Sequence, residues 1–365
     1  MLGGLAAGSF YIPFRRVRGW SWESYWLVGG VFSWIVAPWA LALLTCPGVV
    51  QVLSDAPWPS LLRSYGFGLM WGVGGLTFGL SMRYLGVSLG MAVALGYCAA
   101  FGTLMPPLVA GQMGEIITSL GGQVVLGGVA VCLAGILVTG LAGMSKESEL
   151  PEAEKKRVIQ EFDFFKGILV ATFSGVMSAG MSYGIAAGKP IAELARQANL
   201  ARGATTDFAN LWQNTPVFVV ILAGGFTANF LWCMALNLRN RSGGDYLNRQ
   251  APLANNYFFS ALAGTTWYLQ FMFYGMGTTQ MGPYDFSSWS LHMASIILFS
   301  TAWGIGLHEW RGTSGRTRRR LALGLVVLVA SLVTVGYGNH LKEREDQGRP
   351  ANSAAVSIRP TLHLG

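Results

Sequence analysis

Long apolar runs alternate with short polar connections along almost the whole chain. Most runs contain about 20 residues, which at about 1.5 Å per residue in a helix cross a hydrocarbon core of about 30 Å. The pattern therefore predicts an all-α, polytopic membrane protein with ten transmembrane helices. The ten segments are 1–14, 25–46, 61–82, 85–110, 124–144, 167–188, 211–236, 257–276, 284–307 and 321–337.

The first segment is shorter than the others. As a helix, its 14 residues reach only about 21 Å, which is less than the thickness of the hydrocarbon core. The segment also lacks the cleavage pattern of a signal peptide. We therefore expect the first helix to be truncated and the true N-terminus to lie upstream of Met1.

The basic residues are divided unequally between the two sets of loops. Seventeen of the 25 lysines and arginines lie in loops after odd-numbered segments, and four lie in loops after even-numbered segments. Cytoplasmic loops of membrane proteins carry the excess of Lys and Arg. We therefore predict that the odd-numbered loops are cytoplasmic and both termini extracytoplasmic, in a multi-pass membrane protein.

The longest charged connection divides the ten segments into two sets of five. Because five is an odd number, two related halves must have opposite orientations, as in many secondary transporters. Two short similarities favour this arrangement: Ala7-Gly8-Ser9-Phe10-Tyr11 with Ala179-Gly180-Met181-Ser182-Tyr183, and Leu85-Gly86 with Met281-Gly282. We predict two inverted five-helix repeats (1–144 and 167–337), a charged cytoplasmic linker (145–166) and a disordered extracytoplasmic tail (338–365).

The composition excludes several other classes of protein. Hydrophobic residues make up 52% of the chain and charged residues 12%, about half the charge of a soluble domain. The net charge of +8 lies in the loops, so it indicates topology rather than nucleic-acid binding. The four cysteines lie within or at the ends of apolar runs without metal-ligand spacing, and we expect them to be packing residues. No nucleotide loop, metal motif or nucleophile constellation indicates an enzyme, a cofactor or a metal site.

The ninth segment carries the clearest candidates for proton coupling. Asp285, Ser288, His292 and Ser295 follow one another at intervals of three, four and three residues, which places them on one face of a helix. Ionisable residues at membrane depth are costly and therefore functional candidates. We predict that Asp285, together with His292, carries the proton. The alternatives are a helix cap at the outer surface for Asp285 and an interhelical hydrogen bond for His292.

Aromatic faces with amide and hydroxyl groups nearby are typical of sugar sites, and several apolar segments supply them. Each of these residues alone could instead be a packing residue or part of an interfacial belt. Lys189, at the end of segment six, could be an outer anchor or a site cation. The predicted substrate contacts are Trp267, Gln270, Tyr268, Ser288, Trp289, Tyr97, Trp71 and Asn229, and Tyr274 lies in the same segment as the first three.

Several stretches of the chain recur, in the same order, in a known family. They are Phe10-Tyr11-Ile12-Pro13-Phe14-Arg15-Arg16-Val17, Trp20-Ser21-Trp22-Glu23, Met82-Arg83-Tyr84-Leu85-Gly86, Gly102-Thr103-Leu104-Met105, 173–181, Trp267-Tyr268-Leu269-Gln270-Phe271, Tyr284-Asp285, Ser288-Trp289 and Leu291-His292-Met293. Together they resemble the L-rhamnose–proton symporter family of the drug/metabolite transporter superfamily. The resemblance implies ten helices in five-plus-five inverted repeats, rhamnose uptake coupled to protons across the bacterial plasma (inner) membrane, and no cofactor. Three features depart from the family: the short first helix, Gly74-Gly75-Leu76-Thr77 where members carry asparagines, and the tail beyond Tyr337.

The expected function is therefore proton-coupled uptake of a deoxy-sugar, L-rhamnose first, by alternating access. The expected partners are the sugar, the proton and the lipid bilayer, and the sequence does not indicate an oligomeric state. Two alternatives stay open: a transporter of another sugar or small metabolite, and a membrane sensor that binds sugar without moving it. The lack of a sizeable cytoplasmic domain disfavours the sensor.

Overall fold

The computed structural model describes residues 1–149 and 163–347, and all regular structure in these two ranges is helical. The helices in chain order are α1 (Leu2–Ser9), α2 (Tyr11–Phe14), α3 (Trp22–Val31), α4 (Ala37–Thr45), α5 (Val49–Asp55), α6 (Trp58–Leu85), α7 (Val87–Val109), α8 (Met113–Thr118), α9 (Leu120–Ser148), α10 (Phe164–Ser178), α11 (Gly180–Ala187), α12 (Lys189–Ala201), α13 (Thr206–Trp212), α14 (Thr215–Asn240), α15 (Leu253–Thr278), α16 (Ser288–Gly306) and α17 (Gly315–Gln347). A π-helical stretch, Phe32–Val36, joins α3 to α4, and 3₁₀ turns, Ser242–Leu247 and Gly282–Ser287, precede α15 and α16.

Six helical spans in the described residues are long and apolar enough to cross a membrane. They are Trp22–Thr45, Ser88–Val109, Leu120–Ser148, Phe164–Ala187, Thr206–Asn240 and Gly315–Glu345. The all-α membrane architecture predicted from the sequence is therefore confirmed, with six spans identified by length and hydropathy. The other four predicted segments are also helical, as α1 with α2, α6, α15 and α16.

Two predicted boundaries were wrong. The last helix continues to Gln347, so residues 338–347 are helical rather than part of a disordered tail. Contacts with the rest of the protein hold this extension: Asn339 donates a hydrogen bond to Ser287, and Lys342 donates one to Glu115. The predicted linker, 145–166, is also shorter than expected, because α9 continues to Ser148 and α10 begins at Phe164. The remainder of each prediction, 150–162 and 348–365, lies outside the described residues.

The connection between segments six and seven contains two helices that the search for apolar runs did not predict. Helix α12 has Pro190 in its first turn, where a missing N–H costs no hydrogen bond. Its buried face carries Ile191, Ala192 and Ala195. The amphipathic helix therefore lies against the membrane-spanning helices instead of forming an open loop.

Glycines allow close backbone contacts between helices. A Cβ atom at Gly264 would lie 2.0 Å from the carbonyl oxygen of Gly29, so α15 and α3 meet backbone to backbone. A Cβ atom at Gly68 would lie equally close to the carbonyl oxygen of Ile221, where α6 meets α14. Small residues at such crossings increase the packing contact between helices in a membrane.

Candidate functional site

A cavity of about 640 Å³ opens at one end of the helical bundle. Its walls come from the ends of α7, α11 and α15, from α12, and from the starts of α14 and α16. These ends border the loops after even-numbered segments, which the charge distribution predicts to be extracytoplasmic. We name this cavity the outer vestibule.

Asp285 lies in the wall of the outer vestibule and forms an ion pair. Its carboxylate Oδ2 is 2.9 Å from Nζ of Lys189, the first residue of α12. The Asp285 side chain is 39% exposed, so it is reachable from the vestibule. The 3₁₀ turn that positions it begins at Gly282, whose φ of +59° is readily adopted only by glycine.

A second carboxylate in the same wall belongs to Glu193. It accepts hydrogen bonds from Nε and Nη2 of Arg196, at 2.8 and 2.6 Å, and one from Gln197. These hydrogen bonds, those of Arg196 first, lower the pKa of Glu193 to about 2. The two vestibule acids therefore have different partners: Glu193 has a close cation on its own helix, whereas Asp285 pairs with a cation on another element.

Tyr274 and Ser182 are buried residues that line the outer vestibule. The Tyr274 hydroxyl is 3.0 Å from Oγ of Ser288, which itself donates to the backbone carbonyl of Asp285 at 2.6 Å. The Tyr274 ring lies 5.4 Å from the Trp289 ring and 5.0 Å from the His292 ring. The structure thus brings the predicted residues Asp285, Ser288, Trp289 and His292 together around Tyr274.

Four buried polar atoms on residues predicted to bind sugar or proton have no hydrogen-bond partner within the described residues. They are Nε2 of Gln270, Nε2 of His292, the hydroxyl of Tyr268 and Nε1 of Trp267. Buried polar groups in proteins are nearly always paired, and an unpaired group costs about 1–3 kcal/mol. Trp289 differs, because its Nε1 donates to the carbonyl of Cys98 at 3.1 Å.

Three predicted sugar contacts lie in a second cluster, which is aromatic. The Trp267 ring is 4.2 Å from that of Phe10, and the Trp71 ring is 6.1 Å from that of Trp34. Asn229 is fully engaged, accepting from Nε1 of Trp26 and donating to a backbone carbonyl of its own helix. This aromatic cluster is not part of the wall of the outer vestibule.

Tyr97 lies apart from both groups. It is 37% exposed and lines a separate apolar groove of about 320 Å³ between α7 and α9. Its ring packs 6.0 Å from that of Phe101.

The outer vestibule also contains polar residues that the sequence analysis did not select. Asn214 donates to the carbonyl of Gly275 and to Oγ1 of Thr278, which joins the start of α14 to the end of α15. Gln112, Gln213 and Glu193 line the cavity as well. All lie in connections or at helix ends, where a search for polar residues inside apolar runs does not find them.

Comparison with known proteins identifies the family. The profile described as L-rhamnose-proton symport protein matches residues 1–340. The L-rhamnose-proton symporter of Cronobacter sakazakii is 38% identical over 343 residues, covering 93% of this chain and 95% of that protein. Those of Shigella flexneri and Citrobacter koseri are 37% and 36% identical, each covering 93% of this chain and 96% of the relative. The chain therefore belongs to the L-rhamnose-proton symport protein family.

Proposed function

We propose that this protein imports L-rhamnose together with protons by alternating access between two halves of the chain. The family match over residues 1–340 is the observation that carries the proposal. The outer vestibule supports it, because a polar cavity with an accessible carboxylate is what a sugar–proton symporter needs on the side of uptake. The relatives of this protein come from bacteria, which agrees with a multi-pass protein of the inner membrane.

The opposite end of the bundle supports an outward-open state. There Arg15 forms an ion pair with Glu309 at 3.1 Å, between the loops after segments one and nine. Nearby, Nε1 of Trp303 donates to Oγ of Ser9 at 2.8 Å. We assign this end to the cytoplasm from the basic loops, with both termini outside.

Ten spans in two inverted repeats remain part of the proposal. If segments one to five correspond to six to ten, the neighbours of each segment must also correspond. Segment one (α1) packs against segments eight and nine (α15 and α16), while segment six (α10 and α11) packs against segments three and four (α6 and α7). Segments five and ten (α9 and α17) correspond to each other, and they pack against each other as this correspondence allows.

Backbone features at corresponding places also support the repeats. Gly86 and Gly282, the two glycines of the second sequence similarity, both have positive φ, +83° and +59°, at the starts of segments four and nine. Segments one and six are both interrupted helices, with breaks at Phe10 and Ala179. Both features recur five segments apart.

We assign proton binding to Asp285, with His292 as the second candidate. The proposed sugar contacts are Ser288, which contacts Asp285, together with Gln270, Tyr268 and Trp289, and Trp267 in the aromatic cluster. Trp71, Asn229 and Tyr97 receive less support, because the first two are packed or hydrogen-bonded elsewhere and the third lines a separate groove.

The driving force is sufficient for uptake. One positive charge that moves inward through 100 mV gains about 2.3 kcal/mol. At about 1.4 kcal/mol per tenfold, this supports an accumulation of about fiftyfold. Coupling requires that a carrier loaded with only one of the two ligands does not change sides.

The test is uptake of labelled L-rhamnose into proteoliposomes under an inward proton gradient. We expect accumulation in the wild type that a protonophore abolishes. Asp285→Asn should retain sugar exchange but lose accumulation, whereas the matched change of the other vestibule acid, Glu193→Gln, should retain both. Saturable binding without uptake would indicate a sensor, and uptake of other sugars but not rhamnose would change the substrate.

A further inference from the structure

The outer vestibule ends directly in front of two buried polar side chains. Tyr274 lines the cavity, and the His292 ring lies 5.0 Å from its ring. Gln270 precedes Tyr274 by four residues in α15, so the two share one face of that helix. His292 and Gln270 are 6% and 2% exposed, and neither lines the vestibule.

Gln270 and His292 lie beside the same residue of helix α1. A Cβ atom at Gly3 would be 2.8 Å from the backbone carbonyl oxygen of Gln270 and 3.4 Å from Cε1 of the His292 side chain. Residues of α15, α16 and α1 therefore meet at one point, beside Tyr274, whose ring contacts the His292 ring and which lines the vestibule.

The polar groups at this point lack partners. In the part of the chain that the structure describes, neither Nε2 of Gln270 nor Nε2 of His292 has a hydrogen-bond partner. A buried amide without a partner destabilises a protein, so its presence beside a route for substrate points to a ligand that supplies the partner. Sugar hydroxyl groups both donate and accept, and they suit an amide and an imidazole together.

We propose that Gln270 and His292 form a buried subsite for monosaccharide hydroxyl groups, and that Tyr274 separates it from the outer vestibule. The proposal rests on the sugar transport proposed above and adds where the sugar is held. The Tyr274–Ser288 hydrogen bond holds the ring in place. Sugar enters when the Tyr274–Ser288 hydrogen bond breaks and the ring turns aside.

The first test measures the thermal stability of the purified protein with and without L-rhamnose. Gln270→Met replaces an unpartnered amide by an apolar side chain of similar length. We expect the melting temperature without sugar to rise by about 2 °C, and the additional increase caused by rhamnose to disappear. A packing role for Gln270 predicts the reverse: a lower melting temperature and an intact response to rhamnose, which would overturn the subsite.

The second test concerns Tyr274 and Ser288. Tyr274→Phe and Ser288→Ala remove the same hydrogen bond, which holds the entrance closed, so each should lower the KM for rhamnose by a similar factor, about five- to tenfold for one hydrogen bond. The double variant should change KM no more than either single variant. Tyr257→Phe removes a hydrogen bond from an exposed tyrosine to the carbonyl of Tyr246, outside the vestibule wall, and as the control it should leave KM within about twofold. Independent, additive effects would contradict the proposed role of Tyr274.

Failure of this inference is distinguishable from failure of the proposed function. If the wild type does not accumulate rhamnose under a proton gradient, the proposed function fails. If it accumulates rhamnose while Gln270→Met keeps the wild-type response of melting temperature to rhamnose, only the subsite fails. Gln270→Asn keeps the amide on a shorter side chain and should retain part of the response, which separates hydrogen bonding from folding.

Discussion

The two ends of the helical bundle are built from different side chains. At one end, the outer vestibule of about 640 Å³ is lined by Lys189, Glu193, Asp285 and several amide and hydroxyl groups. In the aromatic cluster of Phe10, Phe14, Trp26, Trp34 and Trp267, the space between the rings is only about 10 Å³. A void of that size holds at most one water molecule.

The difference shows how the protein can be open to one side only. Polar side chains line the vestibule, whereas rings at centroid distances of 4.2–6.4 Å leave no room for sugar, and room for at most one water molecule, between α1, α3 and α15. Aromatic packing of this kind excludes water without any specific ion pair. The comparison leads to four predictions, ordered by expected effect.

Removing a ring from the aromatic cluster should have the largest effect. Phe10→Ala deletes a buried ring that contacts Trp267 and Trp26, and we expect a loss of about 3 kcal/mol of stability. Proteoliposomes should also leak protons without sugar, because water can enter the cluster. Phe258→Ala, at a site 61% exposed on α15, is the control and should change neither measurement. If proteoliposomes with the Phe10→Ala protein do not leak protons, residues outside the aromatic cluster must close the path.

Enlarging the contact between α15 and α3 should have the next largest effect. Gly264→Ala puts a methyl group 2.0 Å from the Gly29 carbonyl oxygen, so the helices must separate, at a cost of about 2 kcal/mol. Gly277→Ala, in the same helix with open space around it, should be neutral or stabilising by up to about 1 kcal/mol. Thermal unfolding of both variants is the measurement, and equal melting temperatures would refute this account of the crossing.

The exposed ion pair at the inner end should have a smaller effect. Arg15→Glu faces Glu309 with a like charge and should favour opening of this end by about 0.5–1 kcal/mol, about two- to fivefold in population. The readout is labelling of Ala186→Cys in the vestibule, which should slow down. The native cysteines are all buried and add little background. Adding Glu309→Arg should restore the rate; without such rescue, the pair does not stabilise the outward-open state.

Neutralising Glu193 should have the smallest effect. Its lowered pKa, about 2, means that its contribution to stability is present above the unfolded pKa of about 4.3 and is lost as the pH falls through about 2. Between about pH 5 and 8, Glu193→Gln should therefore leave the pH profile of uptake unchanged and alter stability by less than about 0.5 kcal/mol, since the pair is half exposed. A changed profile would make Glu193 a coupling residue.

Part of the site was predictable from the sequence. The spacing of Asp285, Ser288 and His292 predicted that they share one face of a helix. In the structure, these three residues lie around Tyr274. The pairing of Asp285 with Lys189 was not predictable, since no local pattern relates residues so far apart in the chain. Tyr97 illustrates the converse, because an aromatic residue in an apolar run can equally face lipid.

The sequence by itself determined that the chain forms apolar helices and which family it resembles. The length of an apolar segment and the charge of a loop are local properties, and they determine membrane insertion and orientation segment by segment. Only the tertiary structure decided that one end is a polar vestibule and that aromatic rings close the space between α1, α3 and α15. It also decided that α12 borders that vestibule and that the amide of Gln270 is buried beside His292. These depend on how distant helices cross, and side-chain contacts across such crossings are not encoded in the period of any one helix.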